Sequence, residues 1–309
     1  MFHSSVKALK AVSVKAPSVQ QLSNLHRIIY PTHGSVNYQP LPVTAYDINN
    51  LNPSPILKVV EHPTDSNKQF TVVNDGLTCI GGSKQRLLDK LLPLYPQEEV
   101  VIAGTALGLA QVALAVTSKK YGKKASIFLE GSADKETTFT AMAQDIGANI
   151  YYSPSGQHTT ISEAYSLAQQ YTAAQPSSRL LMPIGLKSPP ESVVFQCFKQ
   201  ALQEAFQGVL MVPPKRLWIV SGTGFLCNVL HSIWPNTEFL VVPADVKVWS
   251  KSDLDDKKHQ IFYPKQEFPE KAPVQPPYPT VPWYDTKLWQ FVLQHGEHGD
   301  HIWNVGRLP

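Results

Sequence analysis

Very little in this sequence points to nucleic acid, membrane or metal. Only 17% of the 309 residues are charged, and the formal net charge is +3. That positive field is too weak to mark a phosphate-backbone binder. No window approaches the run of about 20 apolar residues that spans a bilayer. The three cysteines, Cys79, Cys197 and Cys227, stand far apart without metal-ligand spacing. That excludes a disulfide framework and predicts a reducing compartment. Met1-Phe2-His3-Ser4-Ser5 lacks a basic segment followed by an apolar one, so a cytoplasmic protein without a membrane partner is expected. His295-Gly296-Glu297-His298-Gly299-Asp300-His301 is rich in ligand types, but its spacing matches no zinc arrangement, and no metal is expected. No internal repeat is present. What the chain does have is length and 43% hydrophobic content, enough for a large core in one or two domains.

The first 45 residues carry weak signals: a short helix near Val19 to Ile29, then a proline- and glycine-punctuated stretch from Pro31 to Pro42. Val59 and Val60 read as edge-strand material, and His62 to Asn67 as a turn. From Phe70 onward, apolar runs alternate with helical patterns. The runs are Phe70-Thr71-Val72-Val73, Glu99 to Ala103, Ala125 to Leu129, Asn149 to Tyr152, Arg179 to Gly185, Arg216 to Val220 and Phe239 to Pro243. Between them, helices are expected after Lys84, from the Gly104–Gln111 stretch to about Tyr121, over Lys135 to Asp145, over Thr160 to Tyr171, from Pro189 to about Gly208, and over Phe225 to Ile233. This spacing predicts parallel βαβ construction. Asp253 to His259 reads as a solvated turn, and Pro264 to Pro282 as an irregular packed crossing. A helix to about Gln294 and a short strand at His301 to Val305 close the chain.

Three stretches carry chemistry. In Asn74-Asp75-Gly76-Leu77-Thr78-Cys79-Ile80-Gly81-Gly82-Ser83-Lys84-Gln85-Arg86, two glycines precede a lysine at a loop-to-helix junction. Glycine permits a tight turn and close backbone approach. A lysine placed there can form a Schiff base with a carbonyl, and partial desolvation lowers its pKa towards the nucleophilic form. Ser221-Gly222-Thr223-Gly224 lies between a strand and a helix, where exposed N–H groups and the helix dipole suit an anion. Tyr284-Asp285-Thr286-Lys287 offers a phenol and a carboxylate; Asp285 is otherwise the N-cap of the last helix.

Taken in this order, the three stretches resemble the fold-type II pyridoxal-phosphate enzymes, the tryptophan synthase β-like family, over residues 50 to 305. The nearest branch is that of aminocyclopropane-carboxylate deaminase and D-cysteine desulfhydrase. Its Gly-Gly-Asn-Lys-x-Arg run matches Gly81 to Arg86, with Ser83 in place of Asn. Ser54-Pro55-Ile56-Leu57 resembles the Thr-Pro-Leu segment that precedes it, and Tyr284-Asp285-Thr286-Lys287 resembles Tyr-Glu-x-Lys. The resemblance implies an α/β fold of two parallel-sheet domains with pyridoxal 5'-phosphate in the cleft. The larger domain would comprise 1–86 and 187–309, with 1–45 as an N-terminal extension, and the smaller one 87–186. It implies that Lys84 carries the Schiff base and that Ser221, Gly222, Thr223 and Gly224 hold the phosphate. Asp285 would face the pyridine nitrogen, and Tyr284 would transfer protons or touch substrate.

One loop departs from the pattern. Aligning Gln111 with the family glutamine puts Ala106 at a nucleophilic serine and Leu107 at an asparagine, leaving Thr105 as the hydroxyl able to hold a substrate carboxylate. Opening of a cyclopropane ring is therefore not expected. The function implied is a lyase or deaminase acting at Cα or Cβ of a small amino acid, in a homodimer. The alternatives are a decarboxylase or modifying enzyme for an aminoacyl group on a larger acceptor such as a hypermodified DNA base, and a non-catalytic cofactor-binding or interaction protein.

Overall fold

A computed structural model describes residues 47–131, 137–152, 160–210, 212–245 and 259–308. The helix expected near Val19 to Ile29, the Pro31–Pro42 stretch and all but the last residue of the turn at Asp253 to His259 lie outside them.

The chain enters as an antiparallel hairpin, β1 (Ile56–His62) and β2 (Asp65–Asn74). The turn is shorter than expected, because Asp65 to Asn67 already belong to β2. Helix α1 (Ser83–Leu91) then carries the chain to a second sheet. There β3 (Glu99–Gly104), α2 (Ala110–Lys120), β4 (Lys124–Leu129), α3 (Thr138–Ile146), β5 (Asn149–Tyr151), α4 (Ile161–Ala173) and β6 (Arg179–Leu181) follow in turn. Helix α5 (Val193–Phe206) returns to the first sheet, which β7 (Arg216–Ser221), α6 (Phe225–Ile233), β8 (Glu238–Pro243), β9 (His259–Ile261), α7 (Trp289–His295) and β10 (His301–Asn304) complete. No helix or strand lies between Phe262 and Tyr284, the irregular crossing expected from its prolines.

The first sheet has the order β1-β2-β10-β7-β8-β9, and the second β5-β4-β3-β6. Apart from the β1–β2 hairpin, every pairing among the described residues is parallel. The sequences explain this: β3 (EVVIAG), β7 (RLWIVS) and β8 (EFLVVP) are near-continuous apolar runs, as strands covered on both faces must be. Helix starts follow local chemistry. Thr137, Thr160 and Ser192 accept the N–H of Thr140, Glu163 and Phe195 and so cap α3, α4 and α5. Gly147, in the left-handed region at φ 117°, ends α3. Helix α2 starts later than the sequence suggested, because Thr105 to Leu109 form a turn in which the Gly108 N–H donates to Thr105 O at 3.1 Å.

One consequence positions the site. In parallel sheets the carboxyl ends of all strands face the same way, and ligands bind there. Lining residues that follow β3, β4, β6, β7, β8 and β10 meet those after β2 around one cavity between the two sheets. No helix among the described residues is long and apolar enough to cross a membrane.

Candidate active site

Lys84 is the second residue of α1, and the two glycines before it serve different needs. A Cβ on Gly81 would overlap the Ala113 backbone, so the loop rests directly on α2. Gly82 has φ 65°, and a Cβ there would stand 2.9 Å from Val305 O. Below the lysine, its neighbours are pinned. Ser83 Oγ donates to Asp75 Oδ2 at 2.5 Å and accepts from Trp303 Nε1 at 3.1 Å. Arg86 Nε donates to Asp75 Oδ1 at 2.9 Å, and its Nη1 reaches Asn52 Oδ1 at 2.7 Å. Both side chains of the Arg86–Asp75 pair are fully buried.

This clamp ties the end of β2, the start of α1 and β10 into one unit and leaves Lys84 as the side chain that points into the cavity. Removing one partner of a buried ion pair leaves the other charge unpaired. Arg86→Met is therefore expected to lower unfolding free energy by about 3–5 kcal/mol. Asp75→Asn in the same chain should restore part of it, measured by urea denaturation.

The cavity holds about 260 Å³ and is lined by every residue that the sequence singled out: Lys84, Thr105, Ser221, Gly222, Thr223, Gly224, Tyr284 and Asp285. No hydrogen bond or ion pair to the Lys84 amine occurs among the described residues. Burial lowers its pKa from 10.5 to about 8. Roughly one amine in ten is then neutral at pH 7, against about one in three thousand at the ordinary value.

The Ser221–Gly224 turn joins β7 to α6, with Gly224 in the left-handed region at φ 79° as the cap residue. Gly222 was expected to offer its N–H to a phosphate. The Tyr284 hydroxyl lies beside it, its oxygen 3.1 Å from where a Cβ on Gly222 would stand. The N–H groups of Thr223 and Gly224 have no acceptor among the described residues and so remain available to an anion. Thr223 is fixed from behind: a Cβ on Gly185, at φ 64°, would come within 2.5 Å of Thr223 Cγ2. The next residue, Leu186, has φ 61°, which is unfavourable for a side chain with a Cβ.

Asp285 is not the cap of its helix. Leu288 holds that position for α7, Asp285 opens the short 3-10 turn Asp285–Leu288 before it, and the Asp285 carboxylate accepts the N–H of Val305 at 3.1 Å and of Gly306 at 3.2 Å. Burial raises its pKa to about 7, with Asp75 adding to the rise and the two N–H groups opposing it. The Tyr284 phenol is raised above its ordinary value by burial and by Asp285, so it stays protonated.

Sequence reasoning missed the Asp75–Arg86–Asn52 clamp. A lone acid and a lone base flanking Gly81-Gly82 were the available signal for the clamp. Gln111, expected only as an alignment anchor, donates from Nε2 to Ala106 O at 2.7 Å and lines the cavity, and its Oε1 is buried without a partner.

No family model matches the sequence, and no curated protein matches it. Solved structures do match. An aminocyclopropane-carboxylate (ACC) deaminase homologue superposes with a TM-score of 0.65 at 13% identity, covering 83% of this chain and 90% of that one. O-acetyl serine sulfhydrylase isoform 3 from Entamoeba histolytica gives 0.59 at 11% identity over 89% and 92%. A threonine deaminase from T.th. gives 0.58 at 14% over 84% and 93%. The fold is that of the fold-type II pyridoxal-phosphate enzymes. In this fold-type II chain the segment before α7 also reaches the elements of the second sheet: Trp283 Nε1 donates to Leu107 O at 3.3 Å, and Phe139 meets the Trp283 ring edge-on at 6.1 Å.

Proposed function

We propose that this protein is a pyridoxal-5'-phosphate-dependent enzyme, a lyase or deaminase acting at Cα or Cβ of an amino-acid substrate, with Lys84 carrying the cofactor. The observation that supports it most is the state of Lys84: a desolvated amine near pKa 8, without a partner among the described residues, inside the cavity that also holds the Thr223–Gly224 N–H groups and Asp285. The likeness of fold to an ACC deaminase homologue and a threonine deaminase favours the lyase and deaminase class.

The residues present fit the cofactor. It needs an amine, an anion site and a group to face its ring nitrogen, and this cavity has one of each. When bound, it supplies an aldehyde that condenses with amines and a ring that accepts the electron pair of a breaking Cα bond. Lys84 would hold the cofactor and, as a free amine, would take or return the proton at Cα near neutral pH. Thr223 and Gly224 would donate N–H groups to the phosphate. Asp285 would keep a proton on the ring nitrogen, which would strengthen the electron sink. Tyr284, its phenol kept protonated by burial, would donate its O–H towards substrate. Thr105 would orient the substrate carboxylate. In the same reading the two sheets are two domains divided near residues 87 and 187, and the enzyme works as a cytoplasmic homodimer on a free amino acid.

The test is direct. Protein loaded with pyridoxal phosphate, reduced with borohydride and digested, should show the pyridoxyl group on Lys84 by mass spectrometry. Label on a different lysine, or no uptake, overturns the assignment. A decarboxylase or an enzyme for aminoacyl groups on larger acceptors shares this attachment, and is separated from the leading reading by its products.

A further inference from the structure

Resting on the cofactor reading above, we propose that the substrate is an amino acid whose side chain is apolar and larger than that of serine or threonine. Its seat is the wall formed by Leu107, Leu109, Phe139 and Val281. All four line the cavity; Phe139 and Val281 are buried, and the two leucines half-buried.

The wall is built rather than accidental. Leu107 is held by its carbonyl to Trp283 Nε1, and Trp283 in turn packs edge-on against Phe139. The Leu109 side chain lies 3.4 Å from the place where a Cβ on Gly82 would be, beside the turn that presents Lys84. A Cβ on Gly306 would overlap that leucine and stand 3.6 Å from Val281 Cγ2. Residues from both sheets thus press together around the lysine, and a preformed apolar surface of this kind rewards a side chain that fills it.

Charge is distributed to the same effect. Lys84 is the only cation among the described residues lining the cavity, whereas Glu130, Asp245 and Asp285 are acidic. With Lys84 committed to the cofactor, a second carboxylate on the substrate would meet no positive partner among them. A small hydroxyl side chain would leave the part-exposed leucine surfaces, backed by buried Phe139 and Val281, unfilled. Discrimination by apolar fit is about 10–200-fold per methylene.

The experiment uses the loaded protein and follows the cofactor's absorbance during titration with leucine, methionine, phenylalanine, serine, aspartate and aminocyclopropane carboxylate, with both enantiomers of the chiral ones. The expected result is an apparent Kd at least about tenfold lower for an apolar member than for serine or aspartate. Leu107→Asn, on a half-buried loop position, should narrow that gap while leaving the cofactor on Lys84. Tighter response to serine, aspartate or the cyclopropane overturns this inference and leaves the cofactor reading standing. No response to any free amino acid also overturns it. Absence of cofactor from Lys84 overturns the cofactor reading itself, and the two failures are therefore distinguishable.

Discussion

Lys84→Ala is expected to abolish covalent capture of the cofactor and to cut turnover by about a thousandfold or more. The loss follows from two roles placed on one amine, attachment and proton transfer at Cα. The fold should not suffer, because no described residue bonds to that amine. Stability should in fact move the other way in cofactor-free protein. The folded pKa of Lys84, about 8, lies below the ordinary 10.5, with burial as the cause. Between those values the unfolded chain binds more protons than the folded one, so stability rises with pH across that window. Below it, the wild type carries the full cost of a buried ammonium and Lys84→Ala does not. The variant should therefore be more stable than wild type at pH 7, with the difference fading as pH rises through the ordinary lysine value. Urea midpoints at both ends of that range check this. A variant that unfolds more easily at pH 7 would show that Lys84 is a structural residue.

The lysine was legible because its surroundings are local. Gly81, Gly82 and Lys84 lie within four residues, and the chemistry of a turn that opens a helix can be read over so short a span. The βαβ alternation was legible for a similar reason: strands buried on both faces must be apolar throughout, as β3, β7 and β8 are. What could not be read is the pairing of segments far apart in the chain. The four-residue β10 inserts between β2 and β7, and its Trp303 reaches Ser83 across 220 positions. No periodicity in His301-Ile302-Trp303-Asn304 announces that it sits at the centre of a sheet. Asp285 shows the same limit. Its sequence neighbours left a cap for the following helix as the alternative to a role at the cofactor, but its partners are the N–H groups of Val305 and Gly306, brought there by β10. The apolar wall required three separate stretches to meet, and of its residues only Leu107 had drawn notice in sequence.

Asp285→Ser is expected to leave cofactor uptake largely intact while lowering kcat by about a hundredfold or more, with little change in KM. In the proposed reading, Lys84 and the Thr223–Gly224 N–H groups would hold the cofactor at one end. Asp285 would act at the other, where its carboxylate would keep the ring nitrogen protonated and the ring able to accept electrons. The pH behaviour of cofactor-free protein gives an independent reading. Burial raises the folded pKa from 3.8 to about 7, so the folded state binds more protons than the unfolded state between those values. Stability is therefore lost as pH rises from about 4 to 7, and the cost stays constant above that. The serine variant lacks this slope, so the difference between variant and wild type should grow in the variant's favour across the same window. A cationic ring nitrogen beside Asp285 reverses the balance, because it favours the carboxylate. Loading the cofactor should then remove most of that slope from the wild type and leave the variant unchanged. Full activity in Asp285→Ser, with the slope still present after loading, would mean that the carboxylate serves only to tie Val305 and Gly306 to the turn at Tyr284.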